Sequence, residues 1–257
     1  MKIGITSYAY RWHVHGGMSA FSFLEKAAAL ECEAAQLAEN IDLSGCSPRD
    51  LGELSRQAAD SGLELELAVT DVRPAAWEAV LGRCAALGVR RLRAIVDGPD
   101  GYATVDQAGA RLRELVPSLR SAGLVLCVEN HFRFSPAELA GLVGELADRS
   151  VRVCLDPLNS MTGLHGPAET IAALEALAAT AHVKNIRIER PRMGFYYTGC
   201  ELEDGLFDAA GFLEHMRGRV ESMLYECWMD PLDSTAATLE QEQRWAASAL
   251  RFMRSRT

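Results

Sequence analysis

The sequence predicts an α/β fold, a closed (β/α)8 TIM barrel forming one domain over residues 1–257. Three observations carry that expectation. The chain has 257 residues, close to the roughly 250 of one such barrel. Short β-like runs alternate with amphipathic helical stretches from end to end, and that order implies parallel strands joined by right-handed crossovers. The repeats number eight, which favours closure over an open doubly wound sheet, the structural alternative.

The β-like runs are Lys2–Thr6, Ala34–Ala38, Leu63–Val69, Arg91–Val96, Leu124–Asn130, Val151–Asp156, Ala181–Ile188 and Ser222–Trp228. Helices are expected to start near Ser19, Ser47, Ala75, Val105, Ser135, Pro167 and Asp208, with a last one from about Ser234 to Arg254. Ser47-Pro48 and Ser135-Pro136 each place a capping hydroxyl before a proline at the first helical position. Gly62, Gly88 and Gly123 follow helical runs, where a left-handed residue ends the last turn. One stretch breaks the rhythm: residues 189–207, with Arg190, Arg192, Phe195, Tyr196 and Tyr197, are long for a strand-to-helix connection. On a barrel this loop lies on the catalytic face, so a lid or substrate-contacting role is expected of it.

Composition narrows the partners. Hydrophobic residues make up 49% and charged residues 24%, an ordinary globular balance, and the net charge of −9 disfavours nucleic acid. Arg90, Arg91 and Arg93 read as a solvated helix end entering a strand rather than a basic patch. The chain shows no apolar run long enough for a membrane span and no signal-peptide core at MKIGITSYAY. Seven cysteines without CxxC spacing argue against a disulfide framework, and Cys127, Cys154 and Cys227 are expected as buried thiols. A cytoplasmic protein is expected, as a monomer or as a homodimer or homotetramer.

Active-site groups of a barrel sit at the C-terminal strand ends. Four consecutive strands each put an ionisable group there. The fifth ends Cys127-Val128-Glu129-Asn130-His131 and the sixth Cys154-Leu155-Asp156-Pro157-Leu158-Asn159; the seventh carries His182-Val183-Lys184-Asn185, and the eighth ends Leu224-Tyr225-Glu226-Cys227-Trp228. Three carboxylates crowded at one mouth repel one another unless a cation sits among them. Lys184 supplies one charge; a divalent ion supplies two and suits the mixed oxygen and nitrogen set of Glu129, Asp156, His182 and Glu226. Mn²⁺ is the first expectation, with Mg²⁺, Co²⁺ or Zn²⁺ as alternatives. Such an ion polarises a carbonyl and acidifies the neighbouring C–H. Glu129 and Glu226, on non-adjacent strands, are cast as the acid/base pair for epimerisation or aldose–ketose isomerisation, and Asp156 and His182 as pure ligands. A lyase beginning with the same proton abstraction, and a non-catalytic binding barrel, are the alternatives.

At these residues the chain resembles the xylose-isomerase-like barrel superfamily, in particular the sugar phosphate isomerase/epimerase group that includes the ketose 3-epimerases. Lys2-Ile3-Gly4-Ile5-Thr6-Ser7-Tyr8 is similar to its first strand. Glu129-Asn130-His131, Asp156-Pro157-Leu158-Asn159, His182-Val183-Lys184-Asn185 and Tyr225-Glu226 resemble its four ligand strands in order and spacing, and Leu202-Glu203-Asp204-Gly205-Leu206-Phe207-Asp208 its glycine-containing stretch before the seventh helix. The resemblance implies a Glu/Asp/His/Glu metal site acting on a sugar, keto-sugar or cyclitol. It also admits inosose or dehydroshikimate dehydratases and enzymes cleaving oxidised glycosides. The superfamily's endonucleases need extra histidines that a chain with six does not supply in pattern. Two departures stand out: Asn159 replaces the histidine that ketose 3-epimerases carry three residues after the aspartate, and their substrate arginine is matched only by Arg187 or Arg190. Substrate contacts are expected from Tyr8, Trp12 and His13 after the first strand, Glu39 at the end of the second, and His131, Asn159, Lys184 and Arg187. Trp228 is expected as wall.

Overall fold

A computed structural model of the protein describes residues 1–96 and 104–256. Eight strands close on themselves: β1 (Lys2–Thr6), β2 (Ala34–Leu37), β3 (Glu64–Val69), β4 (Arg91–Ala94), β5 (Val125–Glu129), β6 (Val151–Leu155), β7 (Ala178–Val183) and, after a two-stranded insertion, β10 (Ser222–Tyr225). All barrel pairings are parallel, and β10 pairs with β1 to seal the ring, with Ile5 opposite Tyr225. The expected α/β barrel is therefore the fold, in one domain.

The helices begin and end where local chemistry stops the backbone from leaving donors unpaired. α1 (Arg11–His15) is a short turn after β1; α2 (Ala20–Ala29) follows it. α3 (Pro48–Asp60) and α6 (Pro136–Leu146) open with reciprocal capping boxes, Ser47 with Asp50 and Ser135 with Glu138. Each such cap contributes about 1 kcal/mol. α4 (Pro74–Leu87) and α5 (Val105–Ala122) end on Gly88 and Gly123, both left-handed with φ of 67° and 65°. α7 (Pro167–Leu174), α8 (Ala209–Met216) and the long α9 (Thr235–Arg256) complete the outer ring. None of the described helices is long and apolar enough to cross a membrane.

Strand alternation sorts the side chains. Leu92, Ala94, Leu126, Val128, Val153 and Leu155 point outward into the main hydrophobic core under the helices. Their neighbours Arg91, Arg93, Cys127, Glu129, Cys154 and Asp156 are buried on the other face, inside the barrel. Here the sequence reading needs correction. Arg91 and Arg93 lie on a strand as the run Arg91–Val96 implied, but they are not solvated: on β4 they are 4% and 2% exposed and paired inside the barrel. The cysteines are free thiols, and Cys127, Cys154 and Cys227 are buried as expected.

The seventh run also differs from expectation. β7 stops at Val183, and Lys184-Asn185 break the strand. Ile186–Glu189 then forms β8, which pairs antiparallel with β9 (Tyr196–Gly199) as a separate ribbon. The long connection is therefore half built of a hairpin. Asn185 staples its base: Nδ2 donates to the carbonyls of Leu202 and Phe207, and Oδ1 accepts from the amides of Ile186 and Phe207. Gly205 leaves room for that side chain, since a Cβ there would lie 2.0 Å from it. Gly199 lets the ribbon press on Trp228, whose backbone a Cβ would meet at 2.8 Å.

Candidate metal centre

The four rim residues converge. One ligand atom each from Glu129, Asp156, His182 and Glu226 lies within 4.8 Å of the others, and all four residues are buried. Donors around one hard divalent ion lie at most about twice the metal–ligand distance apart, roughly 4–5 Å, so the spacing suits a single ion.

Each ligand is aimed by its own strand end. Asn130 ties β5 to β6: its Nδ2 donates to the Asp156 carbonyl at 2.7 Å and its Oδ1 accepts from the Asp156 amide at 2.8 Å. Asp156 Oδ1 accepts from the amides of Leu158 and Asn159 at 2.9 and 3.1 Å, which turns Oδ2 into the barrel. Glu129 Oε1 accepts from Asn159 Nδ2 at 2.9 Å. His182 Nδ1 faces Glu129 Oε1 and Glu226 Oε2, each at 3.2 Å, and Asp156 Oδ2 at 3.8 Å.

Three of the four facing atoms are short of partners; the fourth, Glu129 Oε1, has Asn159. His182 Nδ1 and Glu226 Oε2 are buried with no aligned hydrogen bond, and so are Glu129 Oε2 and Asp156 Oδ2. Glu129 Oε2 has an ion-pair contact with Arg93 Nε at 3.0 Å, and Asp156 Oδ2 one with Lys184 Nζ at 2.7 Å, but neither is directed as a hydrogen bond. Buried polar atoms are normally satisfied, so His182 Nδ1, Glu226 Oε2 and Asp156 Oδ2, facing one another without aligned hydrogen bonds, mark a point where a cation would be held. Three oxygens and one imidazole nitrogen fit a divalent ion.

Two buried cations partly offset the three acids. Arg93 reaches Glu129 and, with Nη1, Glu39 at 3.1 Å. Lys184 Nζ contacts Asp156, Glu226 Oε1 at 2.8 Å and Asn159 Oδ1 at 2.9 Å, and lies 3.6 Å from the centre of the Trp228 ring. Burial alone would raise the Glu129 carboxyl, but Arg93 and then His182 hold it below its usual range. Burial likewise opposes ionisation of Glu226, which Lys184 and His182 keep low. Asp156 is raised by burial, with Lys184 opposing and Glu226 and Glu129 adding to the rise. His182 is raised against its burial by Cys154, Glu226 and Glu129.

Above the quartet lies a cavity of about 160 Å³ bordered by Tyr8, Arg11, Glu39, Arg93, Glu129, His131, Asn159, Glu226 and Trp228, among others. Of the expected substrate contacts, Tyr8, Glu39, His131 and Asn159 border it, and Lys184 lies behind the Trp228 ring. The Tyr8 hydroxyl donates to Glu39 Oε1 at 3.4 Å, and the His131 ring stacks on Phe132 at 3.7 Å. Trp12 and His13 do not border this cavity. They anchor α1 to α9 instead: the Trp12 and His13 amides and His13 Nδ1 all bind the buried Glu242 carboxylate, and Trp12 Nε1 donates to the Met229 carbonyl. Arg187 also stays outside, exposed on the β8–β9 ribbon. Reasoning on sequence missed Arg93 and Arg11 in the wall, and Gln36 behind His182. Charged or amide side chains two apart within apolar strands (Glu64 and Glu66, Arg91 and Arg93) were the available signal for the barrel interior.

A parallel eight-stranded barrel with a buried Glu/Asp/His/Glu cluster at its C-terminal mouth defines a class of protein. The chain belongs to the Xylose isomerase-like TIM barrel family, whose sequence profile matches residues 24–256. It is similar to 3-oxo-isoapionate decarboxylase of Pectobacterium atrosepticum, 25% identical over 264 residues, covering 100% of this chain and 96% of the relative. Among solved structures it is similar in fold to an IolI protein with a bound zinc atom, at TM-score 0.74 and 14% identity, covering 100% of this chain and 99% of that one. A D-psicose 3-epimerase crystallised with D-fructose matches at TM-score 0.71 and 16% identity, covering 99% and 98%.

Proposed function

We propose that the chain is a divalent-metal-dependent lyase that decarboxylates a polyhydroxylated 3-oxo acid. The observation that carries the metal is the convergence of Glu129, Asp156, His182 and Glu226 within 4.8 Å, with the facing atoms of the last three left without aligned hydrogen bonds. Mn²⁺ is the proposed ion, with Mg²⁺, Co²⁺ or Zn²⁺ as alternatives, and Glu129, Asp156, His182 and Glu226 would hold it.

Two features support an acid as substrate. Arg11 borders the cavity beside the Trp12 ring and, among the described residues, has no carboxylate partner. It is free to draw an anion to the mouth. The relative similar over the full length of the chain is named for decarboxylation of a 3-oxo acid. In such a reaction the bond between the carboxylate and the adjacent carbon breaks, carbon dioxide leaves, and the electron pair moves into the ketone as an enolate. That carbon then takes up a proton.

When bound, a divalent ion supplies the Lewis acidity that polarises the ketone and stabilises negative charge on its oxygen. The chain's own groups do the rest. Arg93 and Lys184 keep Glu129 and Glu226 ionised, so both remain able to bind a cation and to move a proton. Trp228, Phe132 and Ile95 give the cavity apolar walls, which strengthen every charge interaction within it. Tyr8, Glu39 and Asn159 offer hydrogen bonds to substrate hydroxyls.

A second reading, a sugar or cyclitol isomerase or epimerase, is favoured by one observation: Glu129 and Glu226 border the same cavity from β5 and β10, so one can remove a proton and the other return it. Incubating metal-loaded protein with 3-oxo sugar acids and with ketoses in deuterated water separates the two. Stoichiometric carbon dioxide with one deuterium in the product is expected. Deuterium entering a ketose without loss of carbon would transfer the assignment to the second reading. Neither outcome, with metal bound, would leave a binding subunit and overturn both.

A further inference from the structure

His182 can serve as a ligand only through a ring nitrogen that carries no proton, and its two nitrogens face opposite surroundings. Nδ1 faces the three carboxylates. Nε2 faces Gln36 Oε1 on β2, across the barrel, at 3.2 Å. An amide can present either its oxygen or its NH₂ group, so the distance alone leaves the roles open. The next residue inward decides them. Gln36 Nε2 lies 3.1 Å from Glu66 Oε2, a fully buried carboxylate that accepts and does not donate. The amide NH₂ must therefore point at Glu66, and the amide oxygen at His182.

Glu66 is itself locked as an acceptor. Its Oε1 takes Arg91 Nε at 2.8 Å and Ser222 Oγ at 2.5 Å. Arg91 is held in turn by Glu64 and by Glu221 at 2.6 Å. A hydrogen-bonded line with one allowed set of donors thus runs through the barrel interior from the N-terminal face to the candidate metal centre: Arg91 and Gln36 Nε2 both donate to Glu66, and His182 Nε2–H donates to the Gln36 oxygen.

We propose that Gln36, oriented by Glu66, is a positioning residue that fixes the proton of His182 on Nε2 and so presents Nδ1, bare of its proton, to the metal. This rests on the metal site proposed above. Partners of this kind fix tautomer and ring orientation, and losing one typically weakens metal affinity by 10–100-fold. The line also has a property that a packing role would lack, because donor and acceptor can be exchanged along it. A carboxylate at position 36 would accept from His182 Nε2–H, but it would meet the Glu66 carboxylate. An amide at position 66 relieves that conflict by donating to it.

The test is Zn²⁺ titration by calorimetry on the wild type, Gln36→Leu, Gln36→Glu and the double variant Q36E/E66Q, with thermal melts as the folding control. Long-range ¹H–¹⁵N spectra of the His182 ring, assigned by signal loss in His182→Gln, report the protonated nitrogen. Wild type is expected to bind one Zn²⁺ with the ring proton on Nε2. Q36L and Q36E are expected to lose roughly 10–100-fold in affinity, and the double variant to recover most of it. Unchanged Zn²⁺ affinity and ring pattern in Q36L would overturn the relay while leaving the metal site intact. A double variant that folds and binds no better than Q36E would also overturn it. Wild type binding no Zn²⁺ would overturn the metal reading, and the relay with it.

Discussion

The barrel interior holds two clusters of charge, and they differ in how completely they are paired. Near the N-terminal face, Arg91 answers Glu64, Glu66 and Glu221 at once; Ser222 adds to Glu66 and Lys2 to Glu64. At the C-terminal mouth, Glu129, Asp156, His182 and Glu226 face one another, and each keeps an atom without an aligned hydrogen bond. The lower cluster reaches solvent through Lys2, Glu64 and Glu221, whereas the upper one is almost wholly buried and adds a histidine. The two differ above all in satisfaction: the lower cluster is paired by the protein itself, and the upper one keeps facing atoms without aligned hydrogen bonds.

The comparison breaks most sharply under substitution at the mouth. Glu129→Gln or Glu226→Gln is expected to cut turnover by about 10²–10⁴-fold, the range for loss of a proton-moving group. The metal-free protein should stay folded but unfold at lower urea, because each change also removes the charge facing Arg93 or Lys184. Steady-state rates and urea unfolding of the same samples check both halves.

The mirror experiment is Arg91→Met in the lower cluster. It leaves Glu66 buried and charged without its main partner, and is expected to cost about 3–5 kcal/mol of stability. A loss much smaller than that in urea unfolding would mean that the lower cluster is not a structural element.

The upper cluster should also couple metal binding to pH. Its histidine is raised above the usual range, against its burial, by Cys154, Glu226 and Glu129, so a proton competes with the metal ion for Nδ1. Falling pH strengthens that competitor. Apparent metal affinity is expected to drop about tenfold per pH unit below the His182 pKa, with one proton released per ion bound. Calorimetry in buffers of different ionisation enthalpy counts that proton. The smallest effect is expected at Arg187, exposed on the ribbon and outside the cavity: Arg187→Ala should leave KM and kcat within about twofold, since its 3.9 Å contact with Glu189 is an exposed pair.

The same contrast explains what could be read from the chain. Eight strand positions and the four rim residues were legible because period-2 apolar runs and short polar strand ends are local signals. Arg91 and Arg93 were expected on a strand but in solvent, because arginine-rich stretches are usually solvated. Their burial depends on Glu66 of β3 and Glu129 of β5, whose register against β4 only the folded sheet supplies. Trp12 and His13 lie near the right strand end, yet they are claimed by Glu242, some 230 residues along the chain. The β8–β9 ribbon was hidden because Lys184-Asn185 interrupts a run that otherwise reads as one strand.

Direct measurement of divalent-ion binding to the purified, metal-stripped protein tests the central claim. Titration with Mn²⁺, Mg²⁺, Co²⁺ and Zn²⁺ should show one ion bound per chain. The melting temperature should rise with it, by an amount equivalent to about 2.7 kcal/mol at an ion concentration 100 times Kd. Asp156→Asn and His182→Gln should abolish both responses while the apo melt persists. A wild-type chain that binds none of the four ions and gains no thermal stability from them would contradict the account.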